Sequence, residues 1–123
     1  MIKQYRHPVN DVLLELPGGF IDKGESPEVA MARELMEETG YRFTSVEQVG
    51  EIAANPGILD NFTLLFLARG GKKTAGQNLD HNEDIEIVTI SLDRLKELFL
   101  ENKIVQSLHA NCVFYALKRL GKL

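Results

Sequence analysis

The chain has 123 residues, 44% of them hydrophobic and 26% charged, which fits one globular domain with a modest core and excludes a disordered or multidomain chain. The formal net charge of −4, with no basic stripe to offset it, argues against coating a nucleic acid. A lone Cys112 excludes an internal disulfide and a multi-cysteine zinc site, and no apolar run is long enough to span a membrane. No signal peptide opens the sequence, so the cytoplasm is the expected location.

In chain order, Lys3 to Val9 reads as a strand ending at a proline turn. Asn10-Asp11 is a turn signal, and Val12 to Leu16 reads as the return strand of a hairpin. A glycine pair follows Pro17. Ser26 is a helix cap, Pro27 suits the first helical position, and Gly40 suits the left-handed residue past the end, so a helix is expected between them. On that helix Glu34, Glu37 and Glu38 fall within a sector of roughly 100°, with Ala30 a turn earlier. Val29, Ala32 and Met36 fall on the opposite side with Leu35 flanking them, and that side is expected to pack.

The remainder alternates strands and helices. Phe43, Val46, Val49 and Ile52 suit a strand, and Ala53 to Gly57 breaks it into a loop. Phe62 to Ala68 is nearly all apolar, as expected of a central strand covered on both faces. A polar loop from Gly70 to Asn82 precedes a strand from Ile85 to Ile90. Ser91 caps a helix with Leu92, Leu95, Leu98 and Phe99 at helical spacing. A final helix is expected to set Leu108, Cys112, Tyr115, Leu117 and Leu120 against the sheet, with Cys112 as a buried, inert thiol. This order implies an α/β/α sandwich around a mixed sheet.

The carboxylate cluster carries the chemistry. Like charges three and four apart on a helix repel by a few tenths of a kcal/mol per pair, and more where the face is buried. A hard divalent cation would convert that repulsion into coordination. The plainer alternative is a solvated acidic face in which Arg33 pairs with Glu37. The spacing favours the cation: Gly19, Glu25, and Arg33-Glu34-Leu35-Met36-Glu37-Glu38-Thr39-Gly40-Tyr41 resemble the Nudix box, G-x5-E-x7-R-E-U-x-E-E-x-G-U with U a bulky aliphatic residue. Only Tyr41 departs, standing where an aliphatic residue is usual.

The resemblance implies a Nudix hydrolase, with a Nudix-type sandwich over residues 1–123 and Mg²⁺ as cofactor, Mn²⁺ being a possible substitute. Gln4-Tyr5-Arg6, Leu14-Glu15-Leu16-Pro17-Gly18-Gly19 and Pro56, sixteen residues beyond Gly40, resemble the subgroup acting on ADP-ribose and other nucleoside diphosphate sugars. It implies Glu34, Glu37 and Glu38 as metal ligands, joined by Glu83 and the Gly18 carbonyl, with Glu25 acting at longer range. Arg33 is implied as a support for these carboxylates, and Arg6, Gly19 and Pro56 as substrate contacts. For the general base the resemblance points to the loop before Ile85. His81 occupies the position that can supply the base, with Glu83 and Asp80 as alternative bases, and Glu37 serves catalysis as a ligand or through a bound water. Relatives carry extra strands before this beginning, which in many of them exchange between subunits. Their absence implies a homodimer or an altered sheet edge. The expected activity is hydrolysis of ADP-ribose to AMP and ribose 5-phosphate. The alternatives are another nucleoside diphosphate derivative such as GDP-mannose, or a Nudix-fold binding module without turnover.

Overall fold

The computed structural model describes residues 1–123 and begins with a hairpin. Strand β1 (Ile2–Arg6) and strand β2 (Asp11–Glu15) pair antiparallel, with Ile2 opposite Glu15 and Arg6 opposite Asp11. Between them His7–Val9 forms one 3₁₀ turn, and Asn10 takes a left-handed conformation with φ 51°, which asparagine tolerates better than other side chains. The Tyr5 hydroxyl donates to the Asn10 side chain and ties the turn to the strand.

Helix α1 (Pro27–Thr39) begins and ends as its capping residues dictate. The Ser26 hydroxyl accepts from the Val29 N–H, and Gly40 closes the last turn at φ 73°, donating its N–H to the Met36 carbonyl. A Cβ on Gly40 would also lie 2.1 Å from the Ala75 carbonyl oxygen, so close approach and backbone angle both require glycine.

Strand β3 (Tyr41–Arg42) pairs with β6 (Lys72–Lys73), and β4 (Ser45–Ile52) pairs with β5 (Thr63–Arg69), all antiparallel. The β4–β5 register slips between Gln48 and Gly50, as one extra residue in a strand would make it do. Strand β7 (Ile85–Ile87) joins the free side of β1, giving the order β2-β1-β7. Helix α2 (Leu92–Leu100) is capped by Ser91, and helix α3 (Ser107–Arg119) by Gln106, whose side chain accepts from two backbone N–H groups. Ile104, Val113 and Leu117 form the buried apolar centre, with Leu16, Leu95, Leu98 and Phe99 packed round it. The α/β architecture is the one expected from the sequence.

Three local expectations change. Strand β5 is paired on one side only, with β4, and Leu65 is its one buried residue. Its apolar run lines an open cleft instead of a two-sided sheet interior. The strand expected over 85–90 stops at Ile87, and the polar stretch before it contains the short β6. On α1 Leu35 is buried as expected and Met36 is half-buried, but the rest of the expected packing side is not what turns inward. Val29 is 57% exposed and Ala32 is exposed, whereas Ala30 and Glu38, from the acidic side, are buried together with Thr39. A carboxylate can turn inward when donors meet it, and here the Gly18 N–H and Arg33 supply them.

Candidate functional site

A cleft of about 660 Å³ opens between β1, β5, α1 and α3. Arg6, Gly18, Gly19, Glu34 and Glu38 line it, so five of the residues singled out by sequence meet there. Its other walls are mainly apolar, including Phe20, Met31 and Phe62.

Helix periodicity puts Glu34 and Glu38 one above the other, and the Pro17–Gly19 turn crosses in front of them. The Gly18 N–H donates to Glu38 Oε2 at 3.0 Å. Gly19 faces Glu34 so closely that a Cβ there would lie 2.2 Å from Glu34 Oε1. Burial pushes Glu38 up to about 7; the Gly18 hydrogen bond opposes that rise, and the charges of Glu34 and Glu83 add to it. Glu34 is also raised, first by burial, with Arg33 opposing and Glu37 and Glu83 contributing.

Arg33 organises the outer side of the cluster. Its Nε donates to Glu25 Oε2 at 2.8 Å and its Nη2 to Glu25 Oε1 at 3.0 Å. Nη1 reaches Glu34 at 3.1 Å and Glu37 at 3.2 Å, and Nη2 also meets the Phe20 carbonyl. The hydrogen bonds from Arg33 hold Glu25 below the usual carboxylate range, and the same partners hold Arg33 firmly protonated. The i,i+4 pairing of Arg33 with Glu37 read from the sequence is therefore present, as one arm of a larger network.

Glu83 is half-buried at the end of the loop before β7. Its Oε1 accepts from the Asp80 N–H at 2.9 Å, and its charge acts on both Glu34 and Glu38. That Asp80–Glu83 turn leaves His81 exposed, without a hydrogen bond or ion pair from its side chain. Pro56 sits in an exposed turn where Ile58 and Leu59 donate to the Asn55 carbonyl, and it does not line the cleft.

Sequence reasoning passed over Glu15 and His109. Glu15 is fully buried and accepts from Arg6 Nε at 2.8 Å and Nη2 at 2.6 Å. His109 Nδ1 accepts from the Leu16 N–H at 3.1 Å and lies 3.8 Å from Glu15 Oε2. The signal for Glu15 was a charged residue inside the apolar run Val12-Leu13-Leu14-Glu15-Leu16, which must find a partner if buried. Cys112 also lines the cleft; its Sγ faces the Phe66 carbonyl and burial pushes the thiol up, as an unreactive cysteine requires.

No three His, Cys, Asp or Glu side chains converge at metal-binding distance in this structure. The donor chemistry nonetheless fits a hard divalent cation: Glu34, Glu38 and Glu83 are oxygen donors held in mutual repulsion, which a cation among them would relieve. Glycine at position 19 lets the Glu34 carboxylate lie against the backbone, where any Cβ would displace it.

Over 108 residues the chain is 36% identical to a methanol dehydrogenase activator from Bacillus methanolicus, a match covering 87% of this chain and 58% of that protein. Over 116 residues it is 30% identical to an ADP-ribose pyrophosphatase from Bacillus subtilis (strain 168), covering 94% and 63% respectively. The chain thus spans less than two thirds of either relative. Its fold matches the crystal structure of an ADP compounds hydrolase with a TM-score of 0.86 at 22% identity, over 99% of this chain and 67% of that one. No helix is long and apolar enough to cross a membrane. The NUDIX domain model matches residues 1–110, the stretch that carries every one of the cleft carboxylates, and the chain belongs to that family.

Proposed function

We propose that the chain is a Mg²⁺-dependent pyrophosphatase that hydrolyses the diphosphate linkage of a nucleoside diphosphate sugar, with ADP-ribose giving AMP and ribose 5-phosphate. The observation that carries this reading is the pair Glu34–Glu38, the first half-buried and the second buried, which line one cleft together with Arg6. The relative from B. subtilis, named an ADP-ribose pyrophosphatase, supports the substrate. Nudix hydrolases generally use divalent metal ions, and Mg²⁺ is the hard cation that suits carboxylate oxygens.

Glu34 and Glu38 would hold the cation, with Glu37, Glu83 and the Gly18 carbonyl as further ligands. When bound, the cation would neutralise diphosphate oxygens and draw electron density from the attacked phosphorus. Arg33 keeps the loop at Glu25 fastened to α1 and orients the carboxylates. Arg6 meets the phosphate charge from the opposite wall, and the apolar walls exclude water around the remainder. A water attacks phosphorus, the bridging P–O bond breaks, and a base on the chain takes the water's proton. Glu83, half-buried where His81 is exposed, is the base this reading favours, with His81 as the alternative.

A homodimer and a cytoplasmic location belong to the same proposal. The dimer is supported by the one-sided pairing of β5. The decisive experiment incubates purified protein with ADP-ribose and Mg²⁺ and assays AMP, with GDP-mannose as the competing substrate in a panel. Faster turnover of GDP-mannose would transfer the specificity; absence of turnover with every nucleotide sugar would discard the enzyme reading. A second reading, a binding module of Nudix fold, is favoured by the relative named as an activator of methanol dehydrogenase. Equal, null traces from wild type and Glu38→Gln would select it.

A further inference from the structure

We propose that Glu15 is a positioning residue, which clamps Arg6 so that the unbonded edge of its guanidinium faces a phosphate group in the cleft. The inference rests on the reading above, in which Arg6 meets the diphosphate. It starts from an ion pair that folding alone does not favour. Glu15 is completely buried, and burying a charge is repaid only with good geometry and satisfied hydrogen bonds, so apolar residues often serve stability as well. Here the geometry is of the strong kind. Two parallel hydrogen bonds, at 2.8 and 2.6 Å, fix the plane of the guanidinium relative to the carboxylate.

The clamp uses Nε and Nη2. Nη1 has no partner within the chain, and the Arg6 side chain stays 44% exposed although its acceptor is wholly enclosed. Arg6 lines the same cleft as Glu34 and Glu38, and its charge acts on Glu38. A diphosphate in the cleft would therefore lie between a fixed cation on β1 and the carboxylates of α1. A lysine could not be held this way, since it offers a point charge without a planar fork.

His109 backs the clamp. Its Nδ1 accepts from the Leu16 N–H, which leaves the ring neutral with its proton on Nε2. The ring thus fixes the backbone next to Glu15 without bringing a second cation to compete with Arg6.

The test compares kcat and KM of wild type, Glu15→Gln, Arg6→Lys and the double variant on ADP-ribose with Mg²⁺. Glutamine keeps the volume of Glu15, yet it accepts from one N–H and opposes the other with its own amide. KM should rise about tenfold with kcat changed less than about threefold, and the double variant should be no worse than Arg6→Lys alone. An unchanged KM, or losses that multiply in the double variant, overturns the proposal. A glutamate needed only for folding would lower the melting temperature without separating KM from kcat. A measurement on the wild type covers the case of a variant that fails to fold: nitrogen-edited NMR during titration with inorganic pyrophosphate and Mg²⁺. The Arg6 Nε–H should exchange slowly and hold its frequency while the Nη signals move; a freely exchanging Nε–H overturns the proposal. A wild type inactive on all nucleotide sugars sinks the activity and leaves this inference to the pyrophosphate titration alone.

Discussion

Gly19 and Glu34 are matched by exclusion: the backbone of one passes so near the carboxylate of the other that a single methyl group would lie 2.2 Å from Oε1. The intruded atom is the far end of a flexible side chain, so Gly19→Ala should leave the fold intact and swing Glu34 aside. We expect kcat/KM on ADP-ribose to fall about a hundredfold with little change in melting temperature, because small displacements of a reacting group have effects of that size. Undiminished activity would show that Glu34 needs no fixed place.

Glu38 should show opposite effects on stability and activity. Its folded pKa, about 7, lies above that of a free carboxylate, so the unfolded chain releases the proton first and stability falls as pH rises towards 7. Glu38→Gln removes that charge while its amide oxygen can still accept from Gly18. With chelator present at pH 8 the variant should be more stable in urea by on the order of 1 kcal/mol. With Mg²⁺ it should lose at least about a hundredfold in kcat. A variant less stable than wild type under chelation would refute the repulsion argument.

His109 sets a second pH dependence, of opposite sense. Burial lowers its pKa, with Glu15 opposing and Arg6 adding to the shift. The neutral ring therefore contributes stability above the unfolded histidine value, and this is lost as pH falls below about 6.5 towards the lower folded value. The stability of wild type relative to His109→Gln should decline between pH 7 and 5, flagged by thermal melts at intervals of about half a unit. A constant difference would mean that the ring titrates alike in both states.

The open edge of β5 makes a prediction about assembly. It runs along a cleft whose rim carries Phe20 at 87% and Phe62 at 65% exposure, a combination that invites pairing with another chain. Sedimentation should show a mass that rises with concentration. A strictly monomeric species throughout would remove the dimer from the proposal.

What the sequence disclosed was local. Ser26, Pro27 and Gly40 delimit α1 correctly because caps act within four residues, and the hairpin around Asn10 is legible for the same reason. The faces of α1 were only partly legible, correct at Leu35 and wrong at Val29 and Glu38, because periodicity reports which residues share a side, and tertiary donors such as the Gly18 N–H help decide which side turns inward. Phe62 to Ala68 looked central because apolar runs do not reveal how many neighbours a strand has. The Arg6–Glu15 clamp depended on a side chain reaching back along the hairpin, and His109 joins it from the far end of the chain.

The division of labour within Arg33 has a consequence for loading. Nε and Nη2 hold the turn at Glu25, whereas Nη1 alone touches Glu34 and Glu37. An arriving ion would compete with just one of the three nitrogens, so Glu34 and Glu37 could change counter-charge while the turn stays moored. The protein can thus trade an internal positive partner for an external one without dismantling the scaffold that received it.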